Sequence, residues 1–158
     1  MTYAAIRVRG TVNIRGDIKD TLTMLRLNRV NHCVILPADP STEGMLRKVK
    51  DYITWGDLRP EVLAKLILKR GRLEDGKKVT DSYVKKHTEF KSLIAFAKAV
   101  CEGKEKFTSL EAIRPVIRLH PPAKGYEGIK RSFVEGGALG YRGDKINDLV
   151  DRMIFEEK

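Results

Sequence analysis

The sequence is poor in cysteine and contains no long hydrophobic run. Cys33 and Cys101 are too few for a disulfide framework and show no metal-ligand spacing, and both lie in apolar runs where a buried free thiol is expected. No apolar run approaches the roughly 20 residues of a membrane helix. The first residues lack the basic and apolar segments of a signal peptide. We therefore expect a soluble, intracellular protein with no membrane partner.

Catalytic signatures are also lacking. His32, His87 and His120 are far apart in the sequence, no metal-ligand pair has helical i, i+4 spacing, and no nucleophile motif is present. An enzyme that acts on a phosphorylated small molecule, one alternative for a basic chain, would need a clustered acid–base set. The sequence predicts no catalytic residue, no metal site, no cofactor and no small-molecule substrate.

Acidic residues are outnumbered by basic ones. The 158 residues include 31 lysines and arginines against 21 aspartates and glutamates, which gives a net charge of +10. Such a surface favours a polyanionic partner, because cations that neutralise phosphates release condensed counterions. The alternative is solvated charge that serves only solubility. The length allows one domain, or a core with a large extension.

The first strand of the chain has an alternating pattern. In YAAIRVRG, Ile6 and Val8 share one side and Arg7 and Arg9 share the other. This alternation predicts a strand with one buried face and one basic face. The signature of the RRM is absent, since arginine stands where its first strand carries an aromatic residue that stacks on bases.

Residues 1–58 predict the order β-α-β-α-β. Two segments with apolar residues at helical spacing begin near Asp17 and Asp39, which we expect to cap them, and HCVILP and YITW are typical of buried strands. This order predicts an α+β core, a two-layer sheet with its helices on one face.

Residues 59–158 have a different character, typical of a mainly helical extension. One helix is expected to begin at Pro60, another to end before Gly103, and a last one to be capped by Asp144. IRPVIRL predicts one further strand, which Pro115 restricts to an edge or first-strand position. HPPAKGYEGIKRS is a loop by composition.

The segment IKRSFVEGGALGYRGDKI raises the question of a nucleotide-binding loop. It lacks the Gly-Lys-Ser/Thr ending of a phosphate-binding loop, and a capping Asp144 would put negative charge where a phosphate would lie. We interpret it as a glycine turn that lets the backbone lie close to a partner surface, flanked by Lys130, Arg131 and Arg142.

Basic residues are concentrated near the beginning of the chain. Residues 1–36 contain two aspartates and six basic residues: Arg7, Arg9, Arg15, Lys19, Arg26 and Arg29. Arginine meets phosphate through a planar, bidentate fork, so the group favours an RNA backbone. The alternative for any single residue is solvated charge on a polar face.

Three motifs carry a resemblance to a known family. LRLNRVN, YITWGDL and FVEGG…G occur in this order, within a collinear match that spans nearly the whole chain. The sequence resembles the large-subunit ribosomal protein L-thirty family (eukaryotic counterpart L-seven), in its long archaeal form. Residues 71–110 match least distinctively, and no residue roles are carried over there.

The resemblance implies a ferredoxin-like core and a structural, non-enzymatic role: binding large-subunit rRNA and supporting subunit assembly in the cytoplasmic ribosome, beside neighbouring large-subunit proteins. The expected RNA contacts of the core are Arg7, Arg9, Asn13, Arg15 and Lys19. By charge and loop position, the expectation extends to Arg26, Arg29, Lys124, Lys130, Arg131 and Arg142. The alternative within RNA binding is a free regulator that uses the same basic face on another RNA.

Overall fold

The computed structural model describes residues 2–10, 12–110 and 112–154. Six helices follow in chain order: α1 (Gly16–Met24), α2 (Pro40–Lys48), α3 (Pro60–Arg70), α4 (Asp81–His87), α5 (Leu93–Cys101) and α6 (Ile146–Met153). The six strands are β1 (Thr2–Arg7), β2 (His32–Pro37), β3 (Ile53–Asp57), β4 (Val116–Arg118), β5 (Gly128–Ser132) and β6 (Gly137–Tyr141).

All six strands belong to one mixed sheet, in the order β4-β2-β1-β3-β6-β5. β1 lies in the middle and pairs antiparallel with both β2 and β3. β4 pairs antiparallel with β2, whereas β6 runs parallel to β3 and to β5. Strands from the first 58 residues thus form the centre, and strands from the extension flank them on both sides.

Helices cover the two faces of this sheet separately. The apolar residues of α1 and α2 pack on one face, as predicted for the core. Those of α3, α5 and α6 pack on the other face, together with the segment around Phe107. The α+β class is confirmed, and so are the ferredoxin-like core and its mainly helical extension.

The pattern of β1 follows from this arrangement. Ala4 and Ile6 face the helices of the extension, and Tyr3 and Ala5 face α1 and α2. All six residues of the strand are buried. The strand prediction is confirmed, but the prediction of a solvent-facing basic side is wrong, because α1 and α2 cover the side on which Arg7 lies.

The extension contributes three strands to the sheet, where the sequence predicted one. β4 is the predicted strand, and it forms an edge as Pro115 required. β5 lies in a stretch whose composition predicted a loop, and β6 is built from the glycine-rich segment. Composition missed these two strands because β6 pairs with β3, which lies far earlier in the chain, and β5 pairs with β6.

Helix capping agrees with the sequence at one of three predicted positions. The Asp39 carboxylate accepts a 2.7 Å hydrogen bond from the Thr42 amide at the start of α2. Asp17 does not cap α1, whose N-cap is Arg15 without a side-chain bond. Asp144 does not cap α6 either, since it lies in a 3₁₀ turn before the helix, where its carboxylate binds the Arg59 guanidinium.

The glycine-rich segment makes its close approach inside the protein. A Cβ on Gly137 would lie 2.2 Å from the Arg131 carbonyl oxygen, so only glycine lets β6 pass beside β5 there. Gly136, with φ of +87°, ends the 3₁₀ turn between these strands. The interpretation as a tight turn is supported, with β5 as the surface that the backbone approaches.

The remaining expectations concern the two cysteines, a metal site and a membrane-spanning helix. Cys33 is buried, which raises the pKa of its thiol to about 12, and Cys101 is a partly buried free thiol. Among the described residues, no His, Cys, Asp and Glu side chains cluster as a metal site would require. No helix in the same part of the chain is long and apolar enough to cross a bilayer.

Candidate nucleic-acid interface

Several loops meet at the end of the sheet where β1 finishes. The Asn31 amide donates to the Arg7 carbonyl at 2.8 Å, and the Leu119 amide donates to the Asn31 carbonyl at 3.2 Å. The Tyr126 hydroxyl adds a 2.5 Å hydrogen bond to the Asn31 side chain. We call this region, formed by residues 8–10, 12–15, 25–31 and 119–127, the basic end of the sheet.

Arg7 lies beneath this end and not on its surface. It is only 2% exposed; Nε donates to the Arg9 carbonyl and Nη1 to the Leu27 carbonyl, both at 2.9 Å. Burial lowers the pKa of its guanidinium. Arg7 thus ties β1 to the chain leaving α1, which corrects its placement on an open basic face.

Arg9, the next arginine of the strand pattern, is half-buried. Its guanidinium lies over the Tyr52 ring, 5.2 Å from the centroid, and donates a long 3.4 Å hydrogen bond to the Asp51 carbonyl. This contact orients the side chain beside β3 while leaving part of it in solvent. The ring of Tyr52 is thus in contact with Arg9. Trp55 is buried in the core.

Three predicted contacts precede or begin α1. Asn13 is exposed and has a positive φ of +57°, a backbone conformation that asparagine tolerates better than most residues. Arg15 is exposed and forms a 3.1 Å ion pair with Asp17. Lys19 is exposed in the first turns of α1. All three side chains are accessible to a partner.

Arg26 and Arg29 lie in the loop between α1 and β2, and both are exposed. Arg26 has φ of +64°, in the left-handed region where a helix-ending glycine is usually found. The Leu27 amide donates to the Leu22 carbonyl at 2.9 Å and fixes this turn. An arginine here carries conformational strain that glycine would avoid.

Arg142, which we expect from the sequence to flank the glycine turn as an RNA contact, is instead buried in the structure. Its side chain is 2% exposed, with Nε donating to the Thr54 hydroxyl at 2.8 Å and Nη2 to the Ala138 carbonyl at 2.7 Å. The guanidinium also lies over the Phe133 ring, 4.9 Å from the centroid. Burial lowers its pKa, with Glu127 acting in the opposite direction. Arg142 connects β3 to β6.

The three other cations of the extension are exposed. Lys124 has φ of +67° in the turn that carries Tyr126 to the basic end. Lys130 and Arg131 lie on β5, the edge strand next to β6. Of the eleven predicted contact residues, eight are therefore exposed, one is half-buried and two are buried.

Sequence reasoning missed a second group of arginines. Arg70, Arg72, Arg114 and Arg118 line a cleft of about 560 Å³ together with Asn28 and His32. Arg118 pairs with His32 across β4 and β2. The alternation of Arg118 with buried Ile117 could have indicated from the sequence that Arg118 is exposed. Only tertiary packing brings residues 70–72 beside Arg118.

The positive charges of nearby arginines affect the pKa of His32. Burial lowers the pKa of its imidazole, and the guanidinium charges of Arg118, Arg29 and Arg7 lower it further. A protonated imidazole is disfavoured because it would add charge to an already cationic region. The basic end and the arginine-lined cleft thus meet at His32.

Comparison with known proteins defines the class. The family model described as "Ribosomal protein L30p/L7e" matches residues 3–53, which include the central strands β1 and β2 and both helices of the core. This match stops short of the extension, so full-length relatives are needed to extend the assignment.

The chain is similar to curated archaeal proteins over nearly its whole length. It is 52% identical to "Large ribosomal subunit protein uL30" of Methanoculleus marisnigri, with 96% of this chain and 99% of that protein aligned. Identity to the protein of the same name is 52% in Methanopyrus kandleri (93% and 100% aligned) and 51% in Methanococcus vannielii (98% and 100%). The chain therefore belongs to the ribosomal protein L30p/L7e family, whose members are structural proteins and not enzymes.

Proposed function

We propose that this protein is a structural constituent of the large ribosomal subunit and binds large-subunit rRNA through the basic end of the sheet. The relatives named above are large-subunit proteins, which supports the assignment of this protein to the large ribosomal subunit. The proposed contact surface comprises Asn13 and the accessible cations of the basic end (Arg9, Arg15, Arg26, Arg29 and Lys124), and it extends to Lys19 on α1 and to Lys130 and Arg131 on β5.

One observation carries this surface: Arg26 occupies a strained backbone position with its charge in solvent. A residue that keeps a positive φ while its side chain forms no hydrogen bond or ion pair with the described residues points to an external role. Arg26 and Arg29 have no ion pair with any carboxylate among the described residues. Both guanidinium groups are therefore available for RNA phosphates, with no carboxylate to displace.

Arg7 and Arg142 have a different role in this proposal. Their hydrogen bonds to backbone carbonyls hold β1 and β6 in position, so they support the surface without contacting RNA. The partners are large-subunit rRNA and neighbouring large-subunit proteins, and the location is the cytoplasmic ribosome.

The test is a filter-binding titration against protein-free large-subunit rRNA from a methanogen, repeated at several salt concentrations. Arg26→Ala/Arg29→Ala removes two cations that are proposed to neutralise phosphates. The slope of log K against log salt should fall in magnitude by about 0.7 to 0.9 for each phosphate that is no longer neutralised. Lys85→Ala/Lys86→Ala, on the exposed side of α4, removes the same charge and is the matched control.

Equal losses of affinity in the two double variants would contradict the assigned surface, because net charge alone would then explain binding. Particle membership is tested separately by sucrose-gradient fractionation after a high-salt wash. Retention in the large-subunit peak is the expected result. A free pool at the top of the gradient would favour a regulator that binds RNA outside the ribosome.

A further inference from the structure

The second arginine group forms a walled cleft and not a flat patch. Its walls come from the end of α3, the turn after it, and strands β2 and β4. The Arg114 amide donates to the Arg72 carbonyl at 2.9 Å, and Leu73 bridges to Ile113. These backbone contacts hold the two sides of the cleft at a fixed separation.

The guanidinium groups of Arg72 and Arg114 donate to backbone oxygens and leave other donors unused among the described residues. Arg72 Nη1 donates to the Gly71 carbonyl at 2.8 Å, and Arg114 Nη2 donates to the Glu74 carbonyl at 3.1 Å. A guanidinium has five N–H donors, so each of these side chains retains several for a ligand. Neutral carbonyl partners also leave the positive charge uncompensated.

The described residues bring no carboxylate to the cleft. No acidic side chain of the described residues lines it, and Arg72, Arg114 and Arg118 form no ion pair within the described ranges. Some arginines elsewhere are paired, as Arg59 is with Asp144 and Arg152 with Glu127. Arg72, Arg114 and Arg118 lie close together without a counterion among the described residues, so their charges repel one another, and an anion in the cleft would remove that cost.

The lining also indicates the class of anion. About 560 Å³ accommodates a phosphate with its sugar, and the described lining residues include no phenylalanine, tyrosine or tryptophan ring for base stacking. A nucleic acid in the cleft would thus be recognised through its sugar–phosphate backbone and not through its bases. The cleft joins the basic end at Asn28 and His32, so one polyanion can reach both.

We propose that this cleft binds backbone phosphates of a second segment of the rRNA, so that the RNA contacts both the basic end and the space between Arg72, Arg114 and Arg118. This inference rests on the proposed function and adds a second contact site to it. An acidic protein segment is the competing occupant, which the experiment distinguishes.

The variant Arg114→Ala/Arg118→Ala tests the cleft, since both side chains are exposed and neither is buried in the core. It is titrated with the same methanogen rRNA, beside Lys85→Ala/Lys86→Ala, and thermal melts verify that both variants fold. We expect an affinity at least about tenfold below that of the control, and a salt slope smaller by about 0.7 to 0.9 for each phosphate no longer neutralised.

A slope equal to that of the control would overturn the cleft site. If Arg26→Ala/Arg29→Ala still weakens binding in that case, the proposed function stands and only the second site fails. If neither double variant weakens binding, both proposals fail. Binding of oligoaspartate that depends on Arg114 and Arg118, with unchanged rRNA affinity, would assign the cleft to an acidic protein segment instead.

A second measurement reports on the cleft directly. The pKa of His32 is followed by NMR with and without decauridylate, and His87 on α4 serves as the internal reference. Phosphates beside Arg118 would offset the arginine charges that lower the pKa of His32, so this pKa should rise on binding. An unchanged His32 pKa in the RNA-bound protein would contradict occupancy of the cleft, as would an equal change in Arg114→Ala/Arg118→Ala.

Discussion

Arg59 and Asp144 join the beginning of α3 to the turn before α6. The Arg59 guanidinium donates to both carboxylate oxygens of Asp144, with the Nε bond at 2.8 Å. Asn147 strengthens the junction, because its side-chain Nδ2 donates to the Asp57 carbonyl and its side-chain Oδ1 accepts from the Arg59 backbone amide at 2.9 Å. Two segments 85 residues apart are thus connected through polar contacts at one corner of the sheet.

The Arg59–Asp144 pair predicts a contribution to stability that depends on pH. The hydrogen bond from Arg59 lowers the pKa of Asp144 below its ordinary value of 3.8, and Asn147 acts in the same direction. The unfolded chain therefore binds this proton more tightly than the native protein does. The stabilisation is present above pH 3.8 and is lost as the pH falls through the native value.

Urea unfolding between about pH 2 and pH 6 tests this pair. The wild type should lose more stability on acidification than Asp144→Asn, whose side chain does not titrate. Asp20→Asn, on the exposed side of α1, is the charge-matched control and should follow the wild type. Parallel curves for the wild type and Asp144→Asn would show that the pair contributes nothing.

Arg142→Ala should destabilise the fold by about 2–4 kcal/mol. The substitution leaves the buried Ala138 carbonyl and Thr54 hydroxyl without their donor and removes packing on Phe133. Arg131→Ala, whose side chain is exposed on the edge strand β5, should stay within about 0.5 kcal/mol of wild type. Similar denaturation midpoints for the two variants would refute a structural role for Arg142.

Gly137→Ala should cost about 1–3 kcal/mol, because the new methyl group would collide with the Arg131 carbonyl oxygen and force β5 and β6 apart. Gly44→Ala provides the contrast. It lies in α2 with no atom within 4 Å of an added Cβ, so alanine should stabilise the protein by about 0.4–1 kcal/mol. Thermal melts of both variants measure the difference, and a neutral Gly137→Ala would argue against the close strand approach.

Arg26→Gly should raise stability while lowering RNA affinity. Glycine adopts the φ of +64° without the strain of a side chain, which is worth about 1 kcal/mol. The substitution also removes one proposed phosphate contact. Arg26→Lys keeps both the charge and the strain, so it should retain wild-type stability and most of the affinity. Full RNA affinity in Arg26→Gly would remove Arg26 from the interface.

Local sequence signals were reliable at several positions where local physics decides the outcome, although the expected caps Asp17 and Asp144 did not form. Asp39 followed by Pro40 specifies a capped helix start, and Gly103 adopts φ of +80° after α5, as a helix-ending glycine does. The alternation in β1 and the apolar stripes of α1 and α2 required only burial against neighbours in the chain. The excess of basic residues indicated a polyanionic partner before any contact was known.

Tertiary structure decided which charges reach solvent. The alternation of β1 placed Arg7 opposite Ile6, but whether that side would be open depended on α1 and α2 closing over it. Arg142 is buried because β6 inserts beside β3, which no pattern within residues 137–142 specifies.

The arginine-lined cleft likewise exists only because the backbone at Arg72 bonds to that at Arg114, far along the sequence. Composition and periodicity therefore determined the class of fold and the sign of the partner's charge, since both depend on local preference and on the sum of charges. The choice between structural and exposed arginines was left to long-range packing, because a side chain's exposure is a property of all the elements that surround it.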